Sequence, residues 1–167
     1  MGVKHAEQQV VIRASPQACF DALLKYETFP EWQSAVKWVE VVTRDQRGRG
    51  REVHFEIDAK LRSIRYELEY SYEPPHRIAW RYLGGDIRDV DGEYIFEDRG
   101  DGSTLATYSL ALDPGVWLPD RVARMINQQV MKASVQKLRK RVEGVRSARR
   151  AGDRDRAGDG GSADRGR

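Results

Sequence analysis

Residues 118–145, LPDRVARMINQQVMKASVQKLRKRVEGV, decide how the rest of the chain must be arranged. Pro119 stands where a first helical turn tolerates proline, since its missing N–H would be an orphan there. From Asp120 to Glu143 neither Gly nor Pro interrupts the segment, and Gly144 reads as its stop. No partner helix of similar length exists elsewhere, so one long helix has to cover a sheet. Its apolar residues form two stripes. Leu118, Val122, Met125, Ile126 and Ala133 make one, and Met131, Val135, Leu138, Val142 and Val145 make another on nearly the opposite side. At about 100° per residue, an i+4 ridge drifts by about 40° per step and winds around the helix. The reading assigns Val122, Met125, Ile126 and Gln129 to a lid over the sheet, and Leu138 and Val142 to an anchor.

Upstream of Asp113 the pattern is that of strands. Gln8–Ala14 is a first strand, and Ser15-Pro16 opens a short helix with Ser as N-cap and Ala18, Cys19, Ala22 and Leu23 at helical spacing. Phe29-Pro30-Glu31-Trp32 makes a corner. Six more strands follow, about 35–43, 51–61, 63–73, 76–83, 89–99 and 103–113. They are joined by short links rich in turn residues (Pro74-Pro75, Gly84-Gly85, Gly100-Asp101-Gly102), which imply an antiparallel meander. Alternation sets the inner face. Val53, Phe55, Ile57, Ala59 and Leu61 oppose Glu52, His54, Glu56, Asp58 and Lys60, and the later strands alternate in the same way. The fold class is therefore α+β: a curved antiparallel sheet of about seven strands wrapped around a long C-terminal helix, with a short helical region after the first strand.

Six of the seven tyrosines, Tyr66, Tyr70, Tyr72, Tyr82, Tyr94 and Tyr108, fall on the inner face with Trp80. A solid core favours aliphatic residues, because each buried phenol needs a hydrogen-bond partner. A set of tyrosines is easier to place around a partly hollow, amphipathic interior. The candidate ligand-binding residues are Phe55, Tyr66, Tyr70, Trp80, Tyr82, Tyr94 and Tyr108 of the sheet, with Met125 and Gln129 of the helix.

Composition bounds the rest. At 167 residues, 40% hydrophobic and 33% charged, the chain is expected to be one soluble domain with a real core. No apolar run could span a bilayer, the N-terminus has no apolar signal-like stretch, and the lone Cys19 fits a reducing cytosol. Cys19 sits in an apolar stripe with no local cation or His, and so reads as a core residue. The three histidines show no ligand spacing, His54 being on the charged face and His76 in a turn. Neither a metal nor a cofactor is expected, and no catalytic motif is present. Net charge is +3, with basic residues crowding the last helix. Residues 1–145 are read as the ligand-binding domain and 146–167 as a disordered basic, Gly-rich tail.

With Ala14-Ser15-Pro16 and Phe20, Phe29-Pro30-Glu31-Trp32, Gly92-Glu93-Tyr94-Ile95-Phe96-Glu97, Gly102-Ser103-Thr104 and Leu118-Pro119 in this order, the chain resembles the START-like helix-grip (Bet v 1-like, SRPBCC) superfamily. Within it, the chain is most similar to the bacterial polyketide cyclase/dehydrase and lipid-transport group and to coenzyme Q-binding START-type proteins. The resemblance implies a deep internal cavity for a hydrophobic or amphipathic small molecule such as a lipid, polyprenyl quinone or polyketide. Carriage or sequestration is set ahead of catalysis. A cyclase/dehydratase-type enzyme, with Tyr66, Tyr82, Tyr94, Tyr108 and Gln129 as its polar groups, is the alternative. A third reading is an interaction protein of the ribosome-association toxin type, touching RNA or an anionic membrane through the basic second half of the last helix.

Overall fold

In the computed structural model the described residues are 4–60 and 62–158. Seven strands form one antiparallel sheet: β1 (Lys4–Ile12), β2 (Val36–Arg44), β3 (Gly50–Asp58), β4 (Ser63–Glu73), β5 (Arg77–Gly85), β6 (Asp89–Asp98) and β7 (Thr104–Asp113). Their order is β1-β7-β6-β5-β4-β3-β2, so the meander runs unbroken and β1 closes onto its last strand, leaving β1 and β2 at the edges. The Gln8 start expected for β1 moves to Lys4, because Lys4 to Ile12 pair with Leu112 to Thr104 residue by residue. Leu61 lies outside the described residues.

Between β1 and β2 the chain makes α1 (Pro16–Leu24), a 3-10 turn (Tyr26–Thr28) and α2 (Phe29–Trp32). The Ser15 side chain accepts from the Ala18 amide at 3.2 Å, and Pro16 occupies the first turn. Pro16, Cys19, Phe20 and Leu23 are buried from this helix. Burial pushes the Cys19 thiol up to about 11, against a lowering contact from Thr104, so the residue is an inert part of the core. Thr104 Oγ1 also donates to the Ala14 carbonyl at 2.7 Å, tying the end of β1 to the start of β7.

The long helix α3 spans Asp120–Gly158. It does not stop at Gly144, and residues 146–158, expected to be disordered, continue as helix. A helix already nucleated by packing propagates through Ala- and Arg-rich sequence at little cost, and a solvent-facing Gly penalises it by only about 1 kcal/mol. Gly144 is exposed, with no atom near the position of an added Cβ. Residues 159–167 of the expected tail lie outside the described residues.

One of the two stripes packs. Asn127, Met131, Val135, Leu138 and Val142 are buried, and α3 lies chiefly along β1, with α1, β7 and α2 as its other neighbours. Polar ties fix the same half of the helix. Glu143 accepts from the Arg13 amide at 3.0 Å, Lys137 donates to Ser34 at 2.5 Å, and Arg146 donates to the Arg13 carbonyl. The other stripe packs little: Leu118 and Val122 are half-buried, Met125 is 52% exposed and Ala133 is exposed, while Val145, assigned to the packed stripe, is 41% exposed.

Candidate functional site

The inner face of β3–β7 carries a continuous run of rings. Phe55 stacks on Tyr66, its cross-strand partner, at 5.5 Å between centroids. Tyr70 lies opposite Trp80 in register, 5.9 Å away, and Trp80 meets Tyr94 at 6.0 Å and Tyr108 at 5.7 Å. Tyr94 and Tyr108, also cross-strand partners, are parallel to within 5° at 4.5 Å. Direct cross-strand neighbours are the closest contacts a pleated sheet offers, so the alternation that puts these residues on one face also makes them touch. The register sets Trp80 opposite Gly92, where an added Cβ would meet the indole Cζ2 at 2.7 Å and the Ser109 carbonyl at 2.6 Å. Only glycine lets the indole lie against β6 there.

The hydroxyls separate these tyrosines into two sets. Tyr26 donates to the Tyr72 hydroxyl at 2.6 Å, and Tyr72 in turn donates to the Gly50 carbonyl. The Arg49 guanidinium lies over the Tyr72 ring, 4.7 Å from its centroid. Tyr82 donates to the Ile87 carbonyl at 2.5 Å. Tyr66, Tyr70, Tyr94 and Tyr108 have no hydrogen-bond partner among the described residues. Yet no side-chain polar atom among those residues is sealed from solvent without a partner, so each of these four hydroxyls borders accessible space. This holds although Tyr94 is only 5% exposed and Tyr108 only 9%. The Trp80 indole N–H is in the same position.

Burial raises all four of these phenols above their ordinary range, Tyr66 to about 12, with neighbouring tyrosines adding to the rise at Tyr70, Tyr94 and Tyr108. At neutral pH each is an uncharged hydroxyl, able to donate one hydrogen bond and accept others. The surface is thus an aromatic floor carrying polar points, suited to an apolar body with a few oxygens.

Of the nine residues expected at the site, the seven from the sheet gather on this floor, although Tyr82 spends its hydroxyl on Ile87. Met125 and Gln129 do not join them, since both side chains are exposed. The physical reason is the choice of stripe: with Met131, Val135 and Leu138 against the body, positions 125 and 129 turn outward at about 100° per residue. Nothing is described for the side chain of Ile126. The floor of the trough is unevenly buried: Phe55, Tyr94 and Tyr108 are buried, while Tyr66, Tyr70, Trp80 and Tyr82 are half-buried. Two concavities, of about 460 and 400 Å³, lie elsewhere and are bordered by arginines, one by Val11, Arg13, Ser103 and Arg146, the other by Arg149 and Arg156.

Asn127 is the residue that sequence reasoning missed. It is 6% exposed, its side chain has no hydrogen bond among the described residues, and its amide also reaches accessible space. Its signal was present: Asn127 opens the 127-131-135-138-142 series that turned out to be the packed face. On the opposite face of the sheet, Glu52, His54 and Glu67 gather within 4.8 Å, with His54 Nε2 2.8 Å from Glu52. Half-exposed and solvated, they belong to the charged outer surface.

A family model described as polyketide cyclase/dehydrase and lipid transport matches residues 4–143. Among solved structures, a START superfamily protein from Mycobacterium smegmatis aligns at a TM-score of 0.79 and 17% identity, covering 84% of this chain and 98% of that one. The Zhui aromatase/cyclase from Streptomyces sp. R1128 aligns at 0.72 and 16% identity, covering 84% and 94%. One protein from Thermus thermophilus aligns at 0.71 and 18% identity, covering 85% and 99%. No curated protein matches the sequence. These likenesses show the helix-grip fold.

Proposed function

Because the chain belongs to the polyketide cyclase/dehydrase and lipid-transport family, we propose that its aromatic trough binds a hydrophobic or amphipathic small molecule for carriage or sequestration. One observation carries the reading: four neutral tyrosine hydroxyls on a contiguous aromatic floor, each facing accessible space without a partner among the described residues. A purely structural tyrosine would spend its hydroxyl as Tyr26, Tyr72 and Tyr82 do. The ligand class that fits has a flat or flexible apolar body and scattered carbonyl or hydroxyl oxygens, as lipids, polyprenyl quinones and polyketides have.

A cyclase reading draws on the fold shared with the Zhui aromatase/cyclase. Ring closure of that kind needs a group that removes a proton near neutral pH. The phenols of the floor are all raised in the wrong direction for a base, and carriage therefore stands ahead of catalysis. The test is native mass spectrometry of freshly purified protein together with titration of a naphthalene-type fluorescent probe. A co-purified adduct, or saturable probe binding at one site, is expected. Absence of both would remove the carrier and cyclase readings together.

A further inference from the structure

The first half of α3 wears an apolar face that the other described residues leave largely uncovered. Val122, half-buried, and Met125, Val130 and Ala133, exposed, occupy the sector turned away from the packed side at about 100° per residue, with Gln129 among them; Met125 and Val130 are 52% and 50% exposed. Immediately ahead of the helix stand Val116, 57% exposed, and Trp117, 76% exposed. Beside the apolar sector runs a polar strip of Arg121, Gln128 and Lys132, all exposed. No acidic residue occurs from Arg121 to Val142, and α3 as a whole carries twelve Lys and Arg against four Asp and Glu.

We propose that this face docks on an anionic lipid surface, with α3 lying in the plane of the interface, Trp117 and Val116 inserted, and the Arg121–Lys132 strip over the headgroups. An apolar sector bordered by cations, with an indole at its end, is the arrangement that partitions into a headgroup boundary. Neither of the other occupants suits it as well. A second copy of the same face would set cations against cations, with no carboxylate between positions 121 and 142 to relieve them. A nucleic acid would leave Val122, Met125 and Val130 at the centre of the contact unused, because phosphates are met by cations. No helix among the described residues is long and apolar enough to cross a membrane, so the contact is peripheral. It also stands apart from whether the trough holds a ligand.

The experiment is flotation of the full chain with vesicles of phosphatidylcholine containing about one-third phosphatidylglycerol, and with phosphatidylcholine vesicles alone, at near-physiological salt. The protein is expected to float with the anionic vesicles and not with the neutral ones. Trp117→Ala with Met125→Ser should reduce partition about tenfold or more, and Arg121→Gln with Lys132→Gln should weaken binding to the anionic vesicles and flatten its dependence on salt. All four side chains are exposed, so far-UV circular dichroism melts should match the parent. Protein that stays at the bottom of the gradient overturns the inference, and so does a Trp117→Ala/Met125→Ser variant that floats unchanged. A dimer in light scattering that this variant dissolves, without flotation of the parent, assigns the face to a second copy instead. Probe titration of the same variant should be unaltered, which separates failure here from failure of the trough reading.

Discussion

Two groups of tyrosines share the inner face, one closed by its own hydrogen bonds and one not. In the first, Tyr26, Tyr72 and the Gly50 carbonyl form a chain beneath α1, while the second half of α3 packs Met131, Val135, Leu138 and Val142 into the body. In the second, Tyr66, Tyr70, Tyr94 and Tyr108 share the same residue type and the same face, with Tyr70 in ring contact with Tyr26, yet their hydroxyls find no partner among the described residues. A buried tyrosine is thus neither structural nor functional by type. Where its oxygen goes decides.

The largest effect should separate the two halves of α3. Leu138 is fully buried, and Leu138→Ala is expected to cost about 2–5 kcal/mol in a denaturant melt. Met125→Ala, at an exposed position, should stay within about 0.5 kcal/mol. Equal losses would break the contrast. A smaller difference should divide the tyrosines. Tyr72→Phe strands the Gly50 carbonyl and the Tyr26 hydroxyl and is expected to cost about 1–3 kcal/mol, with probe affinity little changed. Tyr108→Phe removes no hydrogen bond to a described residue, so its stability should move by less than about 0.5 kcal/mol while affinity for an oxygen-bearing probe falls several-fold. Reversal of that pattern would reassign the unpartnered tyrosines as core.

Least of all should pH matter in the ordinary range. The open phenols are raised, so the folded state favours their neutral form; that contribution is complete below the unfolded tyrosine value near 10 and is lost as pH climbs from there through the folded values, about 12 for Tyr66. Probe affinity should be flat between about pH 6 and 9, and phenolate absorbance should rise late and with loss of structure. A titration step in affinity near neutrality would point to an ionisable group on the floor that these tyrosines do not supply.

The strands were legible because period-two alternation is unambiguous: Val53, Phe55 and Leu68 are buried where the pattern placed them, and the cross-strand ring pairs followed. The face of α3 was not. Two apolar stripes of similar strength run along it, and periodicity measures each stripe without saying which one meets the sheet. Met125 and Gln129 were assigned to the wrong side for that reason, and Asn127 escaped notice because a polar residue at the head of an apolar series looks like an interruption. Gly144 misled for a different reason, since a glycine ends a helix only where the chain has somewhere else to turn.

The pairing of β1 with β7 carries a consequence for the order in which the molecule can be assembled. Residues 36–113 can zip hairpin by hairpin, each strand meeting a neighbour just made, but Lys4 finds Leu112 only after everything between them exists. Since α3 lies mainly on β1, the helix has no seat until that distant pairing is formed. The entropy of closing the longest loop is thus concentrated in one step. During synthesis from the N-terminus, the strand of this sheet that leaves the ribosome first is therefore the last to be paired.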